Sequence, residues 1–341
     1  MIETLKALCS LVGVSSHEEA VRNYIAETAC PYADEIRSDA IGNLIVFKRG
    51  KKATGQKFLM AAHMDEVGLI IRAITEEGYL KFLPVGAIDR RVLIGRKVLV
   101  GEKQLPGIIG LKAYHLVGKE EEKTVPKLRE FYIDIGARSK AEAEALVSPG
   151  DVAGYAREFL PFGNGYVRTP ALDDRVGCAV MLELLKTELP FDCTFVFSAQ
   201  EEVGTRGAFG AAFAIKPEFA LVFEGTTAAD IPSMEAHKQV CSPGKGPVIP
   251  FMDAGTISDR ALFELMRDVA EKNGIAWQMK EYIAGGTDAA AIQRSRCGVR
   301  VVALSAAVRY LHTASSVLSV ADYEQIIRLS ALFLEAVADE L

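Results

Sequence analysis

Four apolar segments of strand length are each followed by histidine or glutamate side chains. The segments and the residues that follow them are 58–62 with His63, 195–198 with Glu201 and Glu202, 220–223 with Glu224, and 299–304 with His312. Segments this apolar are typical of strands that are buried on both faces of a parallel sheet. In open α/β sheets, functional side chains gather at the carboxyl ends of the strands. We therefore predict an α/β sheet with a polar site at one edge.

The residue pattern changes twice along the chain. Residues 1–66 and 168–341 alternate between helical and strand-like spacing, which predicts one discontinuous α/β domain with helices covering a sheet. Residues 67–167 instead contain short β-rich runs separated by glycines and charged residues. This change predicts a small β domain inserted into the α/β domain.

The individual elements follow from apolar periodicity and turn residues. The predicted strands are 41–47, 58–62, 193–198, 220–223 and 299–304, with β-rich runs at 68–73, 98–100, 107–111 and 131–135. The predicted helices are 175–185, 260–273 and 320–341, after a helical start at 2–27. Residues 48–57 and 118–127, which are rich in lysine, glycine or alternating charges, are predicted to be a turn and a solvated loop.

Five residues match the ligand requirement of a site for two divalent ions. Such a site needs one terminal imidazole and one terminal carboxylate for each ion, with one carboxylate bridging them. The set is His63, Asp173, Glu202, Glu224 and His312. Each residue alone has a plainer interpretation, such as a hydrogen-bonded core histidine or an acidic helix cap. Their joint occurrence carries the prediction of a metal-dependent hydrolase.

Two further carboxylates are predicted to assist the reaction. Glu201 is adjacent to Glu202, and successive side chains of an extended chain point in opposite directions, so one can bind metal while the other acts as a general base. Asp65 lies two residues after His63 and is predicted to orient an imidazole or the base. Asp174 is expected to cap or support the following helix, with Arg175 nearby to balance charge.

A glycine-rich loop is the predicted substrate-binding element. The backbone of Gly285, Gly286 and Thr287 can approach a substrate carbonyl, although a plain tight turn explains the same residues. Cations in the pocket would favour an acidic substrate side chain, but three candidates are expected to be ordinary surface residues. They are Lys238, Arg206 and Lys280.

Composition excludes several classes of protein. The 341 residues carry a formal net charge of -6, which argues against nucleic acid as a partner, because phosphate binding requires a basic face. The first residues show no basic region followed by an apolar stretch, so we expect a cytoplasmic protein with no membrane role. The six cysteines are dispersed, which is typical of reduced, packed thiols.

Six ordered motifs spanning nearly the whole chain resemble the M42 family of metallo-aminopeptidases, the group of tetrahedral and deblocking aminopeptidases. The motifs are AHMDEVG at 62–68, LDDRVG at 172–177, QEEVG at 200–204, GKGP at 244–247, GGTDA at 285–289 and RYLH at 309–312. The resemblance implies a phosphorylase/hydrolase-like, three-layer catalytic domain. It also implies that residues 67–167 form a small PDZ-like β-barrel that serves dimerisation.

The resemblance also implies roles for the candidate residues. His63 and Glu224 would bind one metal, and His312 and Glu202 the other, with the pairing itself left open. Asp173 would bridge two ions, Zn²⁺ or Co²⁺, while Glu201 would be the general base and Asp65 its supporting carboxylate. Dimers are expected to build a tetrahedral dodecamer that cleaves N-terminal residues from short peptides.

Two positions depart from the family pattern, and three other functions are weighed against it. Many relatives have aspartate at position 224, and the segment Ser-Pro-Glu after the histidine is replaced here by residues 313–316.

A metal-dependent deacylase or amidase is the main alternative function, because similar ligands serve other amides. A glycoside hydrolase and a scaffold with an inactive site are the weaker alternatives.

Overall fold

The computed structural model describes residues 1–53 and 57–338. The helices in this part are α1 Ile2–Cys9, α2 Glu19–Ala29, α3 Lys140–Glu144, α4 Leu172–Leu185, α5 Arg206–Ile215, α6 Arg260–Lys272, α7 Asp288–Gln293 and α8 Val320–Ala338. The strands are β1 Glu35–Ser38, β2 Leu44–Lys48, β3 Phe58–His63, β4 Gly68–Ile74, β5 Leu80–Val85, β6 Lys97–Val100, β7 Leu105–Gly110, β8 Tyr132–Asp134, β9 Val152–Tyr155, β10 Leu160–Phe162, β11 Tyr166–Thr169, β12 Cys193–Ser198, β13 Phe219–Ala228, β14 Arg300–Arg309 and β15 Ser316–Ser319.

Nine strands form one large sheet in the order β1-β2-β12-β3-β13-β14-β15-β11-β10. The central strands β12, β3, β13 and β14 are mutually parallel, as predicted, and the strands on either side of them pair antiparallel. All six residues of β3 are buried, because both faces of a central parallel strand are covered. The carboxyl ends of the parallel strands therefore meet at one edge of the sheet.

Helices cover both faces of this sheet. Helices α1, α2, α4, α6 and α8 pack on one face, where side chains such as Phe195, Phe223 and Phe333 are fully buried. Helices α5 and α7 cover the other face through small residues that include Ala212 and Ala291. This three-layer arrangement confirms the predicted fold class.

The insertion forms a closed barrel with its own core. The strand order around it is β4-β5-β8-β7-β6-β9, and its interior contains Leu80, Val100 and Ile133. This confirms the inserted β-barrel. The bounds 67–167 stay a prediction, and within them β10 and the first residues of β11 pair with the large sheet instead of the barrel.

Some predicted element bounds differ from the structure. The strand predicted at 41–47 begins only at Leu44, because the Asp39 carboxylate accepts hydrogen bonds from the backbone of Ile41, Gly42 and Asn43 and holds a turn there. Part of the predicted turn at 48–57 and the last three residues of the predicted helix at 320–341 lie outside the described residues. Within the described part of the chain, no helix is long and apolar enough to cross a membrane.

Candidate metal centre and active site

The carboxyl ends of the central strands bring the candidate residues together. His63 is the last residue of β3, and Ser198, which pairs with it in β12, precedes the turn that carries Glu201 and Glu202. Glu224 lies in β13 opposite Ser305 of β14. Asp173 enters from the start of α4, and His312 follows the end of β14. All five predicted ligands therefore meet at the edge of the sheet.

The first imidazole lies between two carboxylates. His63 Nε2 is 3.4 Å from Asp173 Oδ1 and 3.3 Å from Glu224 Oε1. Its Nδ1 lies 3.0 Å from the Asp65 carbonyl oxygen, so Nδ1 carries the proton and Nε2 is left with a lone pair. A neutral imidazole with this tautomer can bind a metal through Nε2.

The second imidazole repeats this arrangement with other partners. His312 Nε2 is 3.2 Å from Asp173 Oδ2 and 3.2 Å from Glu202 Oε1. Its Nδ1 lies 2.9 Å from the carbonyl oxygen of Ala87, which follows β5 of the inserted barrel. The two carboxylate oxygens of Asp173 thus face one imidazole each.

The other two predicted residues flank the first imidazole. Glu201 Oε2 is 3.9 Å from His63 Nε2, and the side chain lines the cavity above it. Asp65 is fully buried and accepts hydrogen bonds from the backbone N–H groups of Glu201, at 2.9 Å, and Glu202, at 3.1 Å. Asp65 therefore holds both glutamates through their backbone as well as lying beside the imidazole.

The electrostatics of the cluster favour bound cations. Burial alone would lower the pKa of His63, but the neighbouring carboxylates of Asp173, Asp65 and Glu224 raise it well above its ordinary value. Burial likewise opposes protonation of His312, yet Asp173 and Glu202 raise its pKa to about 11. These shifts reflect the negative field of closely spaced carboxylates, and the same field attracts divalent ions.

Burial also changes the carboxyl groups themselves. It raises the pKa of Glu201 to about 9, an effect opposed by His63 and strengthened by Asp288 and Glu202. Burial raises the pKa of Glu224 well above its ordinary value despite the neighbouring His63 imidazole, which acts to lower it. Asp173 differs, because the two neighbouring imidazoles outweigh burial and lower its pKa. Four carboxyl groups this close need positive charge between them to stay ionised together.

Unsatisfied polar atoms supply a direct test of whether this cluster fits metal ions. Among the described residues, His63 Nε2, Glu202 Oε1 and Glu224 Oε2 are buried without a hydrogen-bond partner. Buried polar atoms normally have a hydrogen-bond partner, so three such atoms without one in a single cluster indicate that a ligand binds there. Ligand atoms of His63, Asp173 and Glu202 also lie within 4.8 Å of one another, as do those of His63, Glu201 and Glu224. The donor set fits metal binding.

The start of α4 separates the two adjacent aspartates. Asp173 and Asp174 have non-helical backbone angles. Asp174 Oδ1 accepts a hydrogen bond from Gly177 N at 3.0 Å, so the capping role falls to Asp174 and leaves Asp173 free to face the imidazoles. The Arg175 guanidinium donates to Met64 O at 2.8 Å, and the carboxylate it pairs with is Glu66, at 3.4 Å. The expectation that Arg175 balances charge at the site is wrong.

A cavity of ≈ 740 Å³ opens above the cluster. Gly285, Gly286 and Thr287 line it, and Gly285 has a φ of 69°, which favours glycine. Thr287 also caps α7, because its Oγ1 accepts a hydrogen bond from Ala289 N at 3.2 Å. The loop therefore lines the cavity and also forms the turn that begins α7. Substrate binding by this loop stays a prediction.

Lys280 does not lie on the surface as expected. It is only 7% exposed, lines the cavity, and donates from Nζ to the Ala284 carbonyl oxygen at 2.6 Å. Lys280 stands between Met279 and Glu281 in a segment that mixes apolar and polar residues, so no regular pattern signalled its burial. Lys238 is exposed and pairs with Glu235 at 2.6 Å, which agrees with the expectation for that residue.

Sequence reasoning also missed two contributors at the site. The Ala87 carbonyl oxygen binds His312, and a backbone group carries no sequence signal. Asp288 is buried, accepts a short hydrogen bond from Ser198 Oγ, and is one of the carboxyl groups that raise the pKa of Glu201. Its position in the glycine-rich motif was the one available signal. Burial raises the pKa of Asp288 to about 6.

An α/β/α fold whose sheet edge carries two imidazoles and a cluster of carboxylates defines a metal-dependent hydrolase. The sequence profile described as M42 glutamyl aminopeptidase matches residues 42–329. The lysyl aminopeptidase of Pyrococcus furiosus is 33% identical over 342 residues, which cover 98% of this chain and 96% of that protein. The chain therefore belongs to the M42 peptidase family, and it is an aminopeptidase, as the sequence motifs implied.

Solved structures agree with this assignment. The TET1 peptidase of Pyrococcus horikoshii, described as assembling into a tetrahedron or a large octahedral shell, is 39% identical with a TM-score of 0.87 and covers 100% of this chain and 99% of its own. An aminopeptidase from Desulfurococcus kamchatkensis is 34% identical with a TM-score of 0.93, and the match covers 98% of this chain and 94% of its own.

Proposed function

We propose that the chain removes N-terminal residues from short peptides by means of two divalent ions. Asp173 would bridge the ions, because its two oxygens face the two imidazoles separately, and this is the observation that carries the proposal. His63 and Glu224 would complete one metal position, and His312 and Glu202 the other, in line with their distances of 3.3 and 3.2 Å. Zn²⁺ or Co²⁺ suits such nitrogen and oxygen ligands.

The ions, when bound, would supply a water molecule of lowered pKa and a positive field for the peptide carbonyl. Glu201 would take a proton from the attacking water and return it to the leaving amine. Its Oε2 lies 3.9 Å from His63 Nε2 and its side chain lines the cavity, which supports this role. Asp65 keeps Glu201 in place through the backbone hydrogen bond of 2.9 Å. The surrounding carboxylates favour a substrate with a cationic free α-amino group.

We further propose that an acidic N-terminal side chain is preferred. Lys280 is a buried cation in the cavity wall, and no carboxylate among the described residues lies within ion-pairing distance of it. A buried charge is normally paired, so a substrate carboxylate would satisfy this one. The description of the family profile as glutamyl aminopeptidase supports the proposal. Lys280→Met is expected to lower kcat/KM for N-terminal glutamate at least 10-fold, whereas the exposed-site control Lys238→Met leaves it unchanged.

Assembly is also proposed from the relatives. The tetrahedral and octahedral shells of the Pyrococcus horikoshii protein support self-association of this chain, with the inserted barrel forming dimers and dimers building a dodecamer. Sedimentation velocity on the metal-loaded protein measures the number of subunits directly. Location in the cytoplasm stays a prediction from the sequence.

Mass-spectrometric digestion tests the proposed activity. Peptides with free termini and the same peptides with N-acetylated termini are incubated with metal-loaded protein, and again after chelation. Chelator-sensitive removal of single residues from free termini is the expected result. Cleavage only of acylated peptides would instead establish a deacylase, and chelator-insensitive cellulose cleavage a glycanase. A purified protein that neither binds metal nor cleaves any of these substrates would support the non-catalytic alternative, a scaffold with an inactive site.

A further inference from the structure

The two imidazoles of the metal centre are oriented from different domains. His63 Nδ1 donates to the carbonyl oxygen of Asp65, which directly follows β3 in the α/β domain. His312 Nδ1 donates across the domain boundary to the carbonyl oxygen of Ala87. A metal-binding imidazole commonly donates its second N–H in this way, which fixes both ring orientation and tautomer. The orientation of His312 therefore depends on where the inserted barrel sits.

The residue before Ala87 brings the same loop against a second ligand. Gly86 has a φ of 77°, and a Cβ at this position would lie 2.7 Å from Val67 Cγ1 and 3.3 Å from Glu202 Cβ. Glycine therefore permits both the backbone angle and the close approach. Residues 86–87 thus lie beside both side chains of one metal position: Ala87 accepts the hydrogen bond from His312, and the space next to Gly86 is bounded by Glu202.

The barrel also closes the rear of this position. A cavity of ≈ 10 Å³ lies there, with space for about one water molecule. Its wall includes Tyr155 of β9 on the barrel side and Asp173, Glu202 and His312 on the metal side. Packing this close couples a shift of the barrel to a shift of His312.

A buried ion cluster fixes the barrel where the chain enters and leaves it. Glu66 precedes β4, Arg157 follows β9, and their side chains are 3% and 9% exposed. Arg157 Nη1 donates to Glu66 Oε2 at 2.9 Å. Arg175 of α4, which is fully buried, donates to Glu66 Oε1 at 3.4 Å. Glu66, Arg157 and Arg175 therefore join the segments by which the chain enters and leaves the barrel to helix α4, which carries Asp173.

We propose that residues 86–87 of the inserted barrel are a positioning element for the metal position formed by His312 and Glu202. The affinity of that site for metal then depends on how the barrel is placed against the α/β domain. The affinity of the site formed by His63 and Glu224 is instead determined by contacts within the α/β domain. An event that moves the barrel, such as association of chains through it, acts on one metal position selectively. The inference rests on the proposed two-metal site.

Metal titration of Gly86→Ala tests this inference, with Gly95→Ala as the matched control. Gly95 is also in the barrel, has a φ of 71°, and has no atom within 4 Å of the added Cβ, so it brings similar backbone strain without the contacts. Metal-free proteins are titrated calorimetrically with Co²⁺, and bound cobalt is counted by elemental analysis. Wild type and Gly95→Ala are expected to bind two ions. Gly86→Ala is expected to keep one affinity and to lose about 10- to 100-fold in the other.

Unchanged affinities in Gly86→Ala, or an equal loss in both, would overturn the inference. Ala87→Gly is the second variant, because it adds no atoms and loosens the same loop, and a selective loss of about 2- to 5-fold is expected. In a His312→Ala background, Gly86→Ala is expected to cause no additional loss at the remaining position, whereas an additive loss would contradict positioning. A wild type that binds no Co²⁺ would instead overturn the proposed function.

Discussion

Replacing Asp65 with asparagine is expected to weaken the fold and to slow the reaction. The two oxygens of Asp65 accept three hydrogen bonds in a fully buried position. Oδ1 accepts from Glu201 N at 2.9 Å, and Oδ2 accepts from Ser15 Oγ at 2.6 Å and from Glu202 N at 3.1 Å. Asparagine has the same shape but only one oxygen, so it cannot accept all three.

The magnitude follows from the bond that is lost. With the asparagine oxygen turned toward Ser15 and Glu202, its NH₂ group faces the Glu201 N–H, and two donors meet without an acceptor. A buried unpaired donor costs about 1–3 kcal/mol, and weaker bonds to an uncharged oxygen add to this, so we expect a loss of about 2–4 kcal/mol in the free energy of unfolding. Displacement of Glu201 is expected to lower kcat on the order of 100-fold.

Urea unfolding of the metal-free protein and kcat on a peptide with a free terminus measure both effects. Ser15→Ala is the control, because it removes one donor and leaves both backbone bonds to Asp65. It is expected to cost about 1 kcal/mol and to change kcat little. An Asp65→Asn protein with the wild-type free energy of unfolding and the wild-type kcat would refute the reasoning. A Ser15→Ala protein whose kcat is as low as that of Asp65→Asn would refute it as well.

Three further substitutions have defined outcomes, each measured by denaturant unfolding of metal-free protein. Burial raises the pKa of Glu18 to about 7 from 4.5. The stability tied to protonation of this carboxyl is therefore complete below pH 4.5 and lost as the pH rises through 7. Glu18→Gln is expected to add up to about 3 kcal/mol at pH 8 and little at pH 4, and equal effects at both would contradict this. Phe333→Ala, at a fully buried residue, is expected to cost about 3–5 kcal/mol, against a small cost for the exposed Phe209→Ala. Arg157→Met leaves Glu66 paired with Arg175 alone and is expected to lower the free energy of unfolding by about 3–5 kcal/mol. An unchanged free energy of unfolding would contradict the stabilising role of the Glu66–Arg157 pair.

Elements with a strong apolar pattern were predictable from the sequence. The strand Cys193–Ser198 is observed at the predicted residues, because both of its faces are buried and four of its six side chains are apolar. Helix α6, Arg260–Lys272, ends one residue before its predicted end, and its apolar residues face the core at helical spacing. The strand Glu35–Ser38 was not predicted. It lies at the edge of the sheet, and three of its four residues are exposed, so no apolar pattern marks it.

The candidate site shows the same division. Polar side chains that directly follow apolar segments of the sequence, such as His63 and Glu224, were recognisable because that combination is unusual in a core. The Ala87 carbonyl was not, since every residue type carries the same backbone acceptor. Lys280 was missed because its burial depends on the tertiary packing of loops. Long-range placement of loops is the part of this site that sequence pattern does not encode.

The most direct test of the proposed mechanism is the Glu201→Gln protein, assayed for bound metal and for turnover in the same sample. Glutamine keeps the size of the side chain but cannot take a proton from water. The account predicts two bound ions per chain, as in wild type, with turnover of a free-terminus peptide reduced on the order of 100-fold or more. Both metals retained with near-normal turnover would contradict the assignment of Glu201 as the general base.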